Sequence, residues 1–196
     1  MSQTLVKLIG GDLAALTPFL ALSPEAAAAI VGCTQVPVAL ERLEQAGFLT
    51  EATRLVAHAL PKREAVWWAC MCVSHTAPPD LPPIDRAACE AAEEWVRQQT
   101  DKTRRIAFDH AQAGGCISPE AWAAIAAFWS GDSMSPEGQP AVPPAAHLAG
   151  RAAAGAVALA SVRGDVTRRQ ARLRRFLESG RNIAAGGPGR LPAETA

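Results

Sequence analysis

Tyrosine is absent from this chain of 196 residues, and aromatic side chains make up only 5% of it. The five tryptophans (Trp67, Trp68, Trp95, Trp122 and Trp129) are therefore the largest apolar side chains on offer, and most of them are expected in the core. Net charge is also missing: 19 basic residues balance 19 acidic ones. A chain without a global field has nothing to hold nucleic acid or an anionic membrane except local patches. Long apolar runs are absent too. The longest later run, Ala152 to Val162, is far shorter than the roughly 20 residues a membrane-spanning helix needs, so no membrane insertion is expected. Residues 1 to 22 carry a single lysine, Lys7, and an apolar stretch broken by Gly10, Gly11, Asp12 and Pro18, a poor secretory leader.

Chemical motifs are equally scarce. No glycine-rich phosphate cradle occurs, and the four histidines (His58, His75, His110, His147) never fall at metal-binding spacing. The five cysteines (Cys33, Cys70, Cys72, Cys89, Cys116) are odd in number and mostly lie in apolar helical stretches, which fits a reducing, cytoplasmic setting. Cys70 and Cys72 form a Cys-x-Cys, yet positions two apart on an α-helix differ by about 200° around the axis and cannot converge on one ion. Cys72 and His75 share a face but are only two ligands. No cofactor and no metal is expected.

What the chain does have is helix grammar. Ser23-Pro24-Glu25-Ala26-Ala27-Ala28-Ala29-Ile30 and Ser118-Pro119-Glu120-Ala121-Trp122-Ala123-Ala124-Ile125 differ at one position, and both are helix starts. Serine caps a free N–H, proline has no N–H to leave unpaired, and glutamate suits the positive end of the helix dipole. Nothing matches beyond the two octapeptides, so they are independent solutions of one capping problem and not a repeat. Apolar spacings of three and four predict helices near 23–32, 37–46, 50–59, 62–75, 84–98, 101–113, 118–130, 144–163 and 165–179. Glycine turns at Gly47 and Gly114-Gly115 join helical hairpins, with Ile117 placed to staple onto Trp122.

The segment Ala65 to Val73 is apolar on every side and is expected at the centre. The predicted fold is all-α: a compact multi-helix bundle of about eight or nine helices around a central apolar helix, with one domain over 1–186. Two irregular stretches interrupt it: the prolines at 78–83, and Gly131 to Pro144. The Gly/Pro-rich tail, 187–196, is expected to be unstructured.

Three places invite a chemical reading. Ser130-Gly131-Asp132-Ser133-Met134 resembles the Gly-Asp-Ser nucleophile block of a serine esterase family, but it follows a helix in mid-chain and no Asp-x-x-His comes after it, so it reads as a helix exit. Cys116 and His110 could be imagined as a thiol and its base, with loop position as the only support. The third place is the last helix, where seven arginines between Arg163 and Arg181 face only Asp165 and Glu178. Arg168, Arg172 and Arg175 fall on one face, away from the Leu173 and Leu177 stripe, and their guanidinium groups are expected in solvent. This face is a candidate for binding an acidic protein, and no aromatics are interleaved to stack on bases. Trp129, beside the long loop, is a second candidate anchor.

Several blocks carry a resemblance: Lys62-Arg63-Glu64-Ala65-Val66-Trp67-Trp68-Ala69-Cys70, Glu93-Glu94-Trp95-Val96, Ala123-Ala124-Ile125-Ala126-Ala127-Phe128-Trp129-Ser130-Gly131, and Val162-Arg163-Gly164-Asp165. Over roughly 45–186 the chain resembles an uncharacterised family of small bacterial proteins whose genes accompany type VI secretion clusters and their cargo-loading factors. The resemblance implies a cytosolic accessory or adaptor protein and carries no functional residue with it. The expectation is therefore a non-enzymatic cytoplasmic adaptor with a protein partner of unknown identity, binding through Arg168, Arg172, Arg175 or Trp129. Nucleic acid is not the expected ligand, and the oligomeric state is left open. The alternatives are a nucleic-acid-binding or regulatory module using the arginine helix, or an unrecognised enzyme.

Overall fold

The computed structural model describes residues 5–8 and 11–195. Among them are ten α-helices and no strand. They are α1 (Leu13–Leu16), α2 (Pro24–Ala29), α3 (Val36–Gln45), α4 (Leu49–Ala59), α5 (Lys62–His75), α6 (Pro83–Gln98), α7 (Asp101–Ala113), α8 (Pro119–Phe128), α9 (Leu148–Ser161) and α10 (Arg169–Ala184). The all-α reading is correct, and the additional helix is α1, a single turn capped by Asp12.

Local chemistry explains the helix starts. Ser23 and Ser118 each accept a hydrogen bond from the backbone N–H three residues on, with proline next in line. Thr100 and Thr103 form a reciprocal capping box at α7. The expected staple of Ile117 onto Trp122 does not form. Ile117 stands 78% exposed, because Trp122 turns instead towards α9, where a Cβ on Gly155 would lie 3.1 Å from its ring.

The centre holds two helices. In α5 the residues Ala65, Val66, Trp68, Ala69, Cys70, Cys72 and Val73 are buried, whereas Trp67 and Met71 of the same apolar run are half-buried; α8 is buried even more completely, at eight of its ten residues. Around α8 pack α5, α6, α7 and α9; α4 lies against α9, α3 and α10. Small residues bring these helices close. A Cβ on Gly150 of α9 would sit 3.1 Å from the Ala57 carbonyl of α4, and one on Gly180 of α10 would reach Val56 Cγ1 at 2.8 Å. Interaxial distance follows the contact side chains, so alanine and glycine faces replace the volume that aromatics would otherwise fill.

Several boundaries differ from the sequence reading, among them the starts of α9 at Leu148 and α10 at Arg169, each four residues later than expected. The last helix runs through Gly180 to Ala184, since Gly180 is needed for close packing on Trp68 and Val56 and does not end the helix. The segment 187–195, expected to be unstructured, instead lies extended between α5 and α10. Trp67 Nε1 donates to the Pro188 carbonyl at 2.7 Å, and the Glu194 N–H donates to the His75 carbonyl at 2.7 Å. Gly/Pro composition blocks helix and strand, but these long-range hydrogen bonds still fix the backbone.

Candidate functional site

The arginines of α10 divide between the interior and the surface. Arg172 is only 5% exposed. Its Nη1 donates to the carbonyls of Ser161, Arg163 and Asp165, and its Nε and Nη2 form a two-pronged contact with the Glu194 carboxylate, closest at 2.6 Å. The expectation that Arg172 points to solvent is therefore corrected. Helical spacing places it one turn from Arg168 and Arg175, but the chain leaving α9 folds back over it and presents three carbonyls. Glu194 is held below the ordinary carboxylate range by its hydrogen bonds to Arg172, with Arg168 adding to the effect.

Arg168 is half-buried, donating to the Thr195 carbonyl at 3.1 Å and lying 3.4 Å from Glu194. Arg175 is exposed. Together with His75, Ala171 and residues 192–195, these two arginines border a recess of about 340 Å³. His75 is buried, and its Nδ1 contacts the Pro192 carbonyl, which can only accept, so that nitrogen carries the proton. His75 Nε2 is buried without a hydrogen-bond partner among the described residues. Elsewhere on this helix Arg169 donates to Thr50 Oγ1 at 2.7 Å, and Arg181 pairs with Glu44 at 2.9 Å.

Other arginines serve helix ends in the same manner. Arg104 lies buried over the Phe128 ring and donates to the Phe128 carbonyl, the last of α8. Arg163 donates to the Val73 carbonyl near the end of α5, and Arg63 to that of Val96 near the end of α6. Each sets a cation against the negative end of a helix dipole and hydrogen-bonds a carbonyl of its last turn. Arg163 also pairs with Glu120, which is 1% exposed and whose Oε1 has no partner among the described residues. Glu120 reads in the sequence as an ordinary first-turn acid. Its partner lies 43 residues away, and no local signal announces it.

Trp129 ends α8 half-buried, packed against the core at the start of the 130–147 connection. In that connection Ser133 Oγ accepts the N–H groups of Ser135 and Val142, both at 3.1 Å, so the Gly-Asp-Ser block organises a loop. Burial pushes the Cys72 thiol up, and a hydrogen bond with Cys89 together with burial does the same for Cys70. Both thiols are poorer nucleophiles and metal ligands for it. Among the described residues no group of three His, Cys, Asp or Glu side chains gathers to hold a metal, and no helix is long and apolar enough to cross a membrane.

One end of the bundle carries exposed apolar side chains. Ile117, three residues before Glu120, is 78% exposed; Val162, next to Arg163, is 38%; Val166, three residues beyond, is 63%. The Glu120–Arg163 pair and the Arg172 contacts with the Arg163 and Asp165 carbonyls bring these three segments together.

A family model spans residues 39–184, which takes in α4 to α10 and the larger part of α3. The chain belongs to DUF6931, a family of unknown function. No curated protein and no solved structure matches it. The buried arginines Arg104 and Arg172 lie inside the DUF6931 span; the segment 188–195, with the Glu194 that Arg172 holds, lies outside it.

Proposed function

We propose that this DUF6931 protein is a non-enzymatic, cytoplasmic helical adaptor that binds another protein through the end of the bundle where α8 begins, α9 ends and α10 begins. The supporting observation is the exposure of Ile117 and Val166, at 78% and 63%, beside Val162. Exposed apolar side chains on neighbouring segments cost solvation free energy unless a partner covers them. Arg168 and Arg175, at the start and outer side of α10, give the same region a basic flank suited to an acidic partner. The resemblance of the tryptophan and turn blocks to proteins encoded beside type VI secretion clusters supplies the class of partner, a secretion component or its effector.

The test is affinity capture from native cytosol with the wild type and an Ile117→Asp/Val166→Asp variant. A protein held by the wild type and lost by the variant, with circular dichroism unchanged, supports the reading. Identical captured sets would remove this surface from consideration, and ester hydrolysis that disappears on Ser133→Ala would overturn the non-enzymatic assignment.

A further inference from the structure

The groove between α5 and α10 spends an unusual number of side-chain groups on the backbone of one extended segment. Trp67 Nε1 donates to the Pro188 carbonyl at 2.7 Å, and Ser179 Oγ donates to that of Gly189 at 2.5 Å. Asn182 Oδ1 accepts the Gly189 N–H at 2.8 Å, the His75 ring holds the Pro192 carbonyl, and Arg172 grips Glu194. Recognition through main-chain groups, with pockets for a few side chains, is how peptide-binding grooves work.

Three positions of the segment are selected. Gly189 has φ +61°, and a Cβ there would overlap the Ile183 side chain, so the groove admits only glycine. Leu191 packs against the core, and Glu194 meets a buried guanidinium. The present occupant leaves one groove atom unserved: His75 Nε2 stays buried with no partner among the described residues, beside the recess of about 340 Å³. Trp67, His75, Arg172, Ser179 and Asn182 all lie within the family span, whereas the occupying residues lie outside it.

We propose that this groove is a recognition site for an extended peptide of the pattern Gly-x-Leu-x-x-Glu, filled here by the chain's own residues 188–195, and that a partner's segment of that pattern displaces them. The recess beside it shares Arg168 and Arg175 with the flank of the exposed apolar end, but the groove stands without that surface. A segment joined to α10 by a few residues acts at an effective concentration in the millimolar range, so a competitor in solution binds weakly until the resident copy is loosened.

The test uses the full chain and a fluorescein-labelled peptide of residues 186–195, read by fluorescence anisotropy. Gly189→Val in the chain unseats the resident segment without touching the groove, and the peptide should then bind at least tenfold more tightly than to the wild type. A peptide carrying the same Gly-to-Val change, or lysine in place of the glutamate, should bind that variant at least tenfold more weakly than the parent peptide. Trp67→Phe added to the Gly189→Val chain removes the indole donor and should weaken binding several-fold. Peptide binding that is equal for both chains, equal for parent and altered peptides, or undetectable with a folded Gly189→Val chain would overturn the proposal. Concentration-dependent dimerisation of the wild type that Gly189→Val abolishes would replace the partner peptide with exchange between two copies.

Discussion

Replacing Arg172 with alanine removes a guanidinium that satisfies the carbonyls of Ser161, Arg163 and Asp165 and holds Glu194. The Ser161 carbonyl is the last of α9, and the Ser161 residue is buried, so water does not readily take over. Leaving a buried acceptor unsatisfied costs about 1–3 kcal/mol, and a bond to a charged donor contributes about 1.5–3. These contributions overlap, because freeing the arginine also removes its own desolvation cost. Glu194 is half-buried and rehydrates cheaply. The net expectation is a loss of about 3–4 kcal/mol, a large part of the roughly 5–15 kcal/mol that holds a domain folded. At this size that lowers Tm by about 6–15 °C. Urea melts followed by tryptophan fluorescence measure it, with Arg175→Ala as the control, expected within about 0.5 kcal/mol because that residue is exposed. Arg172→Lys keeps the charge but loses the fork, and should recover only part of the difference. If Arg172→Ala and Arg175→Ala both cost under about 1 kcal/mol, the reading of Arg172 as an internal clamp is wrong.

The other predictions concern the interior. Arg163→Ala strands the buried Glu120 carboxylate and should cost about 3–5 kcal/mol, whereas adding Glu120→Gln to it should restore about half, as a double-mutant cycle in denaturant would read. Trp68→Phe should cost about 1–3 kcal/mol, since Trp68 is fully buried and its Nε1 donates to the Phe176 carbonyl at 2.8 Å; a wild-type midpoint in equilibrium unfolding would contradict the packing. His58 is lowered to about 4 by burial, with His147 and Arg151 contributing, while Phe19 stacks between the two imidazoles. The unfolded chain binds this proton at a pH where the folded one does not. Stability from this group is therefore complete above about pH 6.5, falls as the pH drops towards 4, and then levels off. After discounting for partial exposure the loss is about 1–2 kcal/mol, and His58→Leu should flatten that limb of a pH series of melts.

The helix starts were legible because their causes are local. Ser23 and Ser118 reach an N–H only three residues on, and proline and glutamate follow in the same turn, so residue order alone places α2 and α8. Periodicity likewise located α3 to α7 to within a residue or so, and the unbroken apolar run of α5 marked a buried helix. The groups that meet the helix ends were another matter. The carbonyls closing α5, α6, α8 and α9 are met by Arg163, Arg63, Arg104 and Arg172, residues that lie from 11 to 90 positions away in sequence. An arginine at helical spacing on an amphipathic stretch looks the same whether solvent or a returning loop lies over it. Arg172 and Arg175 differ only in what the end of α9 and the 188–195 segment bring to them. The same holds for Gly180, Glu120 and the extended tail: composition describes what a residue can do alone, and long-range packing decides which carbonyl, ring or carboxylate it meets. Sequence by itself thus determined the all-helical class and the bounds of α3 to α7 to within a residue or so; the tertiary structure alone decided which charges are buried, because a buried charge is tolerated only where distant groups converge to pair with it.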